Sequence, residues 1–376
     1  MIPFFLAGGA MLAVGGAVLV RKRLSGQNLK RFDIAPPLFA DPDAQSDSLV
    51  KVNAYLVENF IKPAQEEKTR IGMSGGWENK RERFEQAGLA RTDLKAEYRD
   101  DIIHVDGREI HGRWTLVKGY DPDSRILYLH GGAFTVGSDI SHRPLTVNLA
   151  KRTKCAVFTP NYRLMPENSR RDVIDDARAA YHWILENGPD GSAPIKSLGV
   201  AGDSAGGNLT LMISHYARDN GLRMPNAVLA ISPLMDSTAS SPTYKRNIET
   251  DLMLQPLLRP LLKLPRSVLL LGMKKSLKIN PSDPDVSPIF DHLRDLPPTL
   301  IQVSSTEMLY GDSVRFSNKA LSVGSPVTLQ AWSNMPHVFP IFDDVLPEAR
   351  DALDEAGKFF KFYGVKKTAR RRKSST

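Results

Sequence analysis

Gly202-Asp203-Ser204-Ala205-Gly206, preceded by the apolar run Leu198 to Ala201 and followed by Gly207-Asn208-Leu209, decides how this chain folds. A short β-type run, a Gly-x-Ser-x-Gly pentapeptide and a helix-compatible segment from Leu209 to Ala217 make the strand, tight turn and helix of a nucleophile elbow. In such a turn the backbone pushes the serine Oγ outward, and small residues two positions either side of Ser204 allow the sharp bend. With Gly and Ser each at about 7% of residues, the bare pattern arises by chance in roughly one chain of this length in ten. The rest of the sequence must therefore supply a base, an acid and an oxyanion site.

Outward from the elbow, the chain alternates. Upstream, Tyr98 to Val105 and Ile110 to Val117 flank Asp106-Gly107, a strong hairpin signal, and Arg125 to His130 and Ala156 to Thr159 are compact strands. A helix is expected from Asp172 to Glu186. Downstream come strands at Ala227 to Ser232, Thr299 to Val303 and Val327 to Trp332, with helices near Ser313 to Leu321 and over Pro347 to Phe362. A hairpin followed by alternating strands and helices predicts a mostly parallel sheet with helices on both faces, and ligands then bind at the carboxyl ends of the strands. Between Leu234 and Leu296 the alternation breaks. Leu252 to Met273 is leucine-rich but interrupted by Pro256, Pro260, Pro265 and several cations, which predicts short amphipathic helices inserted as a cap or lid. From Gln27 to Asp93 the sequence is polar, with helix-like patches at Ser46 to Phe60 and Trp77 to Gln86 and no strand before Tyr98.

Three further features carry chemistry. His130-Gly131-Gly132-Ala133-Phe134 closes the strand before the elbow's neighbours, and a glycine-rich turn there exposes N–H groups to an oxygen that becomes negative. Gly131, Gly132 and Ala133 are the candidate donors, together with Ala205 beside the serine. Since the order in this kind of fold is Ser, acid, His, the base must lie late in the chain, and His337 falls in the loop after the last strand. The acid should follow the strand Thr299 to Val303, where Glu307 and Asp312 both stand. Either carboxylate type can hold an imidazole in the right tautomer. Position favours Glu307, whereas Asp312 is also placed to cap the next helix.

Composition bounds the rest. At 376 residues and 41% hydrophobic content, the chain can bury a large core, and its one cysteine, Cys155, excludes an intrachain disulfide and suits a reducing compartment. The net charge of +8 is no nucleic-acid footprint, because six cations lie in Lys366 to Thr376 and five in Arg21 to Arg31, which leaves the remainder slightly negative. Ile2 to Val20 holds no charge and is long enough to cross a bilayer, with Arg21-Lys22-Arg23 directly after it. That charge order is the reverse of a signal peptide's, and it predicts a single-pass anchor with the catalytic domain in the cytoplasm. An uncleaved export signal is the alternative. Gly9, Ala13 and Ala17 at four-residue spacing would let two anchors pack as a homodimer. No metal-ligand cluster, phosphate-binding loop or dinucleotide fingerprint is present, so no cofactor or metal is expected. The expected organisation is a transmembrane anchor with basic flank (1–23), an extension with cap helices (24–97), an α/β domain (98–365) with a cap insertion at about 236–290, and a basic disordered tail (366–376).

Together Leu129-His130-Gly131-Gly132-Ala133-Phe134, Tyr162-Arg163-Leu164-Met165-Pro166-Glu167, Asp175-Asp176-Ala177, Gly202 to Leu209, Ser232-Pro233, Leu296-Pro297-Pro298 and Met335-Pro336-His337 resemble the hormone-sensitive-lipase-like branch of the α/β-hydrolases. The resemblance covers roughly Tyr98 to Phe362. It implies a serine esterase or lipase with a helical cap formed by the N-terminal extension and the insertion after Ser232. Joined to the anchor expected from the N-terminal run, which has no counterpart in typical soluble members, the reading is a membrane-anchored carboxylesterase acting on small-molecule or lipid esters with short to medium acyl chains through a Ser204-His337-Glu307 triad. The resemblance also favours Glu307, which aligns with the family's acid. Ala133 stands where a third glycine is usual, and is accommodated if its φ is negative, because only its N–H is used. Glu307 stands where Asp is commoner. An amidase or deacetylase would share this machinery. A ligand-binding protein on the same fold, as in plant gibberellin receptors, would lack the catalytic histidine that this chain keeps.

Overall fold

A computed structural model describes residues 16–63, 65 and 76–366. Eight strands form one sheet: β1 (Glu97–Val105), β2 (Arg108–Leu116), β3 (Asp121–Leu129), β4 (Cys155–Pro160), β5 (Ser197–Asp203), β6 (Ala227–Ile231), β7 (Thr299–Ser304) and β8 (Val327–Trp332). Their spatial order is β1-β2-β4-β3-β5-β6-β7-β8. Strands β3 to β8 pair in parallel, while β1 with β2 and β2 with β4 are antiparallel. The hairpin turn is the expected two-residue one, with Asp106 and Gly107 both at positive φ (48° and 72°).

The principal helices are α1 (Asp47–Leu56), α2 (Trp77–Leu89), α3 (Arg143–Thr153), α4 (Arg170–Glu186), α5 (Ser204–Asp219), α6 (Gln255–Leu262), α7 (Arg266–Leu277), α8 (Tyr310–Leu321) and α9 (Pro347–Phe362). Alternate strand residues serve opposite faces. Leu127, Leu129, Val200 and Ala230 pack with Val173 and Ile174 of α4 and with Leu209 and Ile213 of α5. Ile126, Tyr128, Ala201 and Leu229 pack with Leu145 and Leu149 of α3 and with Leu353 and Phe360 of α9. Both sides of the sheet are thus dry, which is why its central strands read as continuous apolar runs. Ser169 caps α4 in a reciprocal pair with Asp172, fixing where that helix begins. Cys155 is buried in the second cluster.

In the extension, Leu49, Val52 and Leu56 bury one face of α1 against Trp332, Phe339 and Ala349, so it sits beside the loop that carries His337. The insertion between β6 and β7 contains the expected helices, α6 and α7. The expected membrane span from Ile2 to Val20 lies mostly outside the described residues, as do Gly9 and Ala13. Residues 16–24, which include its end, are helical. Among the described residues no helix is long and apolar enough to cross a membrane. The expected basic tail, apart from Lys366, also lies outside them.

Candidate active site

Strand β5 delivers Asp203 in an extended conformation, and the chain then turns through Ser204 at φ 50° straight into α5. A non-glycine residue held there costs about 1–3 kcal/mol, so the surrounding packing must impose it. The glycines show how. A Cβ on Gly206 would lie 1.9 Å from the Leu129 carbonyl oxygen, so α5 rests directly on the end of β3 and on the loop that follows it.

Ser204 Oγ lies 2.9 Å from His337 Nε2, and His337 Nδ1 is hydrogen-bonded to Glu307 Oε2. A carboxylate on Nδ1 fixes the tautomer in which that nitrogen carries the proton and the Nε2 lone pair faces the serine. Glu307 is itself held. Its Oε1 accepts from the Ser304 N–H at 2.6 Å and from the Ser232 hydroxyl at 2.9 Å, and Ser232 Oγ in turn accepts the Val338 N–H at 3.1 Å. One hydroxyl therefore ties the acid to the residue after the base. Burial disfavours the His337 cation, but the adjacent Glu307 outweighs it and holds the imidazole above its ordinary value of 6.5. A second buried carboxylate, Asp251, lies within 4.8 Å of this pair. Both its oxygens accept backbone N–H groups, from Met308 at 2.8 Å and Leu254 at 3.0 Å, and burial raises its pKa.

Asp312, the other acid expected from the sequence, does not reach His337. It also does not cap α8 by a side-chain bond. Its Oδ2 turns toward the insertion and accepts from the Tyr244 hydroxyl at 2.9 Å and from the N–H groups of Asp236 and Met235 at 3.1 and 3.3 Å. Complete burial, with Asp236 nearby, pushes its pKa well above its ordinary value.

The turn after β3 divides the four expected oxyanion donors. Gly131 N–H is already committed, to Asp203 Oδ1 at 3.0 Å and His142 Nε2 at 3.2 Å. This corrects its expected role: it anchors the loop. Asp203 also accepts the Tyr128 hydroxyl at 2.7 Å. Burial opposes its charge, but His142 and these donors prevail and keep its carboxyl below the usual range. Among the described residues Gly132 and Ala133 N–H groups have no hydrogen-bond acceptor. Ala205, in the first turn of α5, has no intrahelical one. The backbone follows a left-handed path through Gly132, Ala133 and Phe134, with φ of 108°, 53° and 61°. The condition set for Ala133, a negative φ, is thus not met. The loop reverses there, and closing bonds from Thr135 and Val136 N–H to Gly132 O, both 3.0 Å, hold it.

Arg170 supports this loop from behind and has no obvious sequence signal. Its buried guanidinium stacks 3.8 Å from the Phe134 ring centroid and donates to Asn208 Oδ1 at 2.6 Å. Asn208, one turn along α5 from Ser204, donates onward to the carbonyls of Leu234 and Val286 at 2.8 and 3.0 Å. The elbow, the turn after β3 and both ends of the insertion are therefore cross-braced by two side chains. Ser232 and Asp203 are the other positions that sequence reasoning left without a role. Both lie inside motifs, but only the fold shows what they bond.

Comparison with known proteins is consistent with this geometry. A family model described as an alpha/beta hydrolase fold matches residues 126–341. An acetyl-hydrolase from Streptomyces hygroscopicus is 35% identical over 236 residues, covering 63% of this chain and 75% of that protein. An esterase from Acinetobacter venetianus is 36% identical over 236 residues, covering 62% and 73%. The crystal structure of an esterase from the bacterial hormone-sensitive lipase family superposes with a TM-score of 0.69 at 27% identity, covering 85% of this chain and 99% of that one. The chain therefore belongs to the α/β-hydrolase family, in its hormone-sensitive-lipase-like branch.

Proposed function

We propose that this protein is a serine carboxylic ester hydrolase in which Ser204 is the nucleophile, His337 the general base and Glu307 the acid that orients it. The observation that carries this reading is the chain of contacts from Ser204 Oγ to His337 Nε2 at 2.9 Å and from His337 Nδ1 to Glu307. In the reaction, His337 Nε2 takes the Ser204 proton as Oγ attacks the ester carbonyl carbon. The carbonyl oxygen becomes an oxyanion that accepts from the N–H groups of Gly132, Ala133 and Ala205. The C–O bond to the alcohol then breaks, and the departing alkoxide takes the proton from His337. Water, deprotonated by His337, attacks the acyl-Ser204 ester, and the carboxylic acid leaves as Ser204 regains its proton.

The names of the relatives, an acetyl-hydrolase and an esterase, support short to medium acyl esters as substrates. The uncharged run before Arg21-Lys22-Arg23 supports attachment to a membrane with the catalytic domain on the cytoplasmic side. The purified chain is expected to hydrolyse p-nitrophenyl butyrate faster than long-chain esters. A preference for amide over ester substrates across such a panel would replace this reading with an amidase. Release of the chain from membranes by alkaline carbonate would contradict a spanning anchor.

A further inference from the structure

The insertion carries a surface that hydrolysis does not explain. From Leu252 to Ser282 there is no Asp or Glu, yet the stretch holds Arg259, Lys263, Arg266, Lys274, Lys275 and Lys278. Its helices α6 and α7 each bury one face. Leu258 of α6, with Leu254 just before it and Leu262 at its end, packs on Tyr244, Met308 and Leu309, one layer from Glu307. Leu269, Leu270 and Leu277 bury the inner side of α7. The opposite faces are apolar too. Leu257 and Leu261 stand four apart on α6, Leu264 lies just past its end, and Val268 and Leu271 stand three apart on α7 after the break at Pro265. All five large side chains of this stripe, Leu257, Leu261, Leu264, Val268 and Leu271, are between 36% and 51% exposed. Surface leucines scattered singly are ordinary, but such a set on consecutive helices is not.

The stripe's surroundings decide what covers it. Among the described residues Lys263, Lys274, Lys275 and Lys278 enter no ion pair. The acid-free N-terminal stretch meets the same region. Asn280, just past α7, donates to the Arg23 carbonyl at 3.2 Å, which brings Arg23, the last of the run Arg21-Lys22-Arg23, to the end of α7. An apolar surface bordered by cations without ion pairs complements a bilayer surface bearing anionic headgroups rather than another folded protein.

We propose that the outer face of α6 and α7 docks on an anionic lipid bilayer, placing the insertion over Glu307 at the membrane interface. This goes beyond the proposed esterase activity and does not depend on it. The test uses the full chain with a single environment-sensitive fluorophore on Leu264→Cys or Leu271→Cys. Cys155 is fully buried and does not compete for label. Vesicles of phosphatidylcholine with about one-third phosphatidylglycerol should brighten either label roughly threefold. Pure phosphatidylcholine, about 0.5 M salt, or Lys263→Glu with Lys274→Glu and Lys275→Glu should abolish most of the rise. A label on Glu109→Cys, at the far edge of the sheet, should stay dark. The proposal is overturned if the Leu264 and Leu271 labels stay dark while the chain sediments with anionic vesicles, if neutral vesicles give the same rise, or if Glu109 brightens equally. It is also overturned if the labels brighten with protein concentration alone, since the stripe would then pair two copies of the chain.

Discussion

Glu307 and Asp312 are five residues apart, both completely buried and both acidic, and replacing each with its amide separates their roles. Glu307→Gln keeps the shape of the side chain but removes the charge from His337 Nδ1. The amide either presents its NH2 to Nδ1 and forces the wrong tautomer, or presents its oxygen and leaves the imidazolium unpaired. Removing the equivalent carboxylate from a serine-histidine-acid triad costs about 10⁴ in kcat, which corresponds to roughly 5.4 kcal/mol of transition-state stabilisation. Asp312→Asn is expected to change kcat by less than about threefold. Its three donors, from Tyr244, Asp236 and Met235, at 2.9 to 3.3 Å, all reach the single oxygen Oδ2, which an asparagine oxygen can replace. Asp312 also differs in its pH signature. Its folded pKa lies above the unfolded value of 3.8, so the folded state holds the extra proton and stability falls as pH rises from 3.8 toward the raised value. The asparagine variant lacks that fall, and its melting temperature relative to wild type should therefore improve as pH rises above 3.8. The assays are steady-state hydrolysis of p-nitrophenyl butyrate and thermal melts at several pH values. An Asp312→Asn loss in kcat matching that of Glu307→Gln would refute the assignment of the acid.

Three other outcomes follow from the same contacts. Because His337 must be neutral to accept the serine proton and its pKa is held above 6.5 by Glu307, the acid limb of kcat/KM should have its midpoint above 6.5, and Glu307→Gln should move it downward. Ser232→Ala leaves the Val338 N–H without its acceptor and removes one of the two donors to Glu307 Oε1. It should cost about 2 kcal/mol in a denaturant melt and about tenfold in kcat. Gly131→Ala would place a Cβ 2.0 Å from Asp203 Oδ2 and displace the loop it anchors. A loss of roughly 10² in kcat with little change in the melting curve of the sheet is expected, whereas unchanged kcat would remove Gly131 from the loop's support.

The sheet and the meeting of Ser204, Glu307 and His337 were legible because strand order and chain order constrain each other. A serine at the end of one strand leaves few places for an acid and a base in a parallel sheet. Helix α3 was not legible. Its sequence, Arg-Pro-Leu-Thr-Val-Asn-Leu-Ala-Lys-Arg-Thr, is rich in weak helix formers and lacks a one-sided pattern, because nearly all of it is buried against the sheet and α9. Gly131 was assigned to the wrong task because a glycine-rich loop shows how many N–H groups it exposes, but not which of them Asp203 has already taken. Asp312 lost its ambiguity only through the fold, which turns its carboxyl toward Tyr244 and the insertion and away from His337. The positive φ at Ala133 shows the same limit: the sequence sets the condition under which an alanine is easily accommodated there, and only the fold, with the closing hydrogen bonds of the loop, shows that it is not met. The basic stripe of the insertion is written in the sequence, but its apolar partner face emerges only when helical phase and burial are read together.

The central claim is that Ser204 is the nucleophile, and covalent trapping tests it most directly. Incubation of the full chain with a fluorophosphonate, followed by digestion and mass spectrometry, should place one adduct on the peptide containing Ser204. His337→Ala should slow its formation by orders of magnitude. An adduct on another residue, or full esterase activity in Ser204→Ala, would contradict the account.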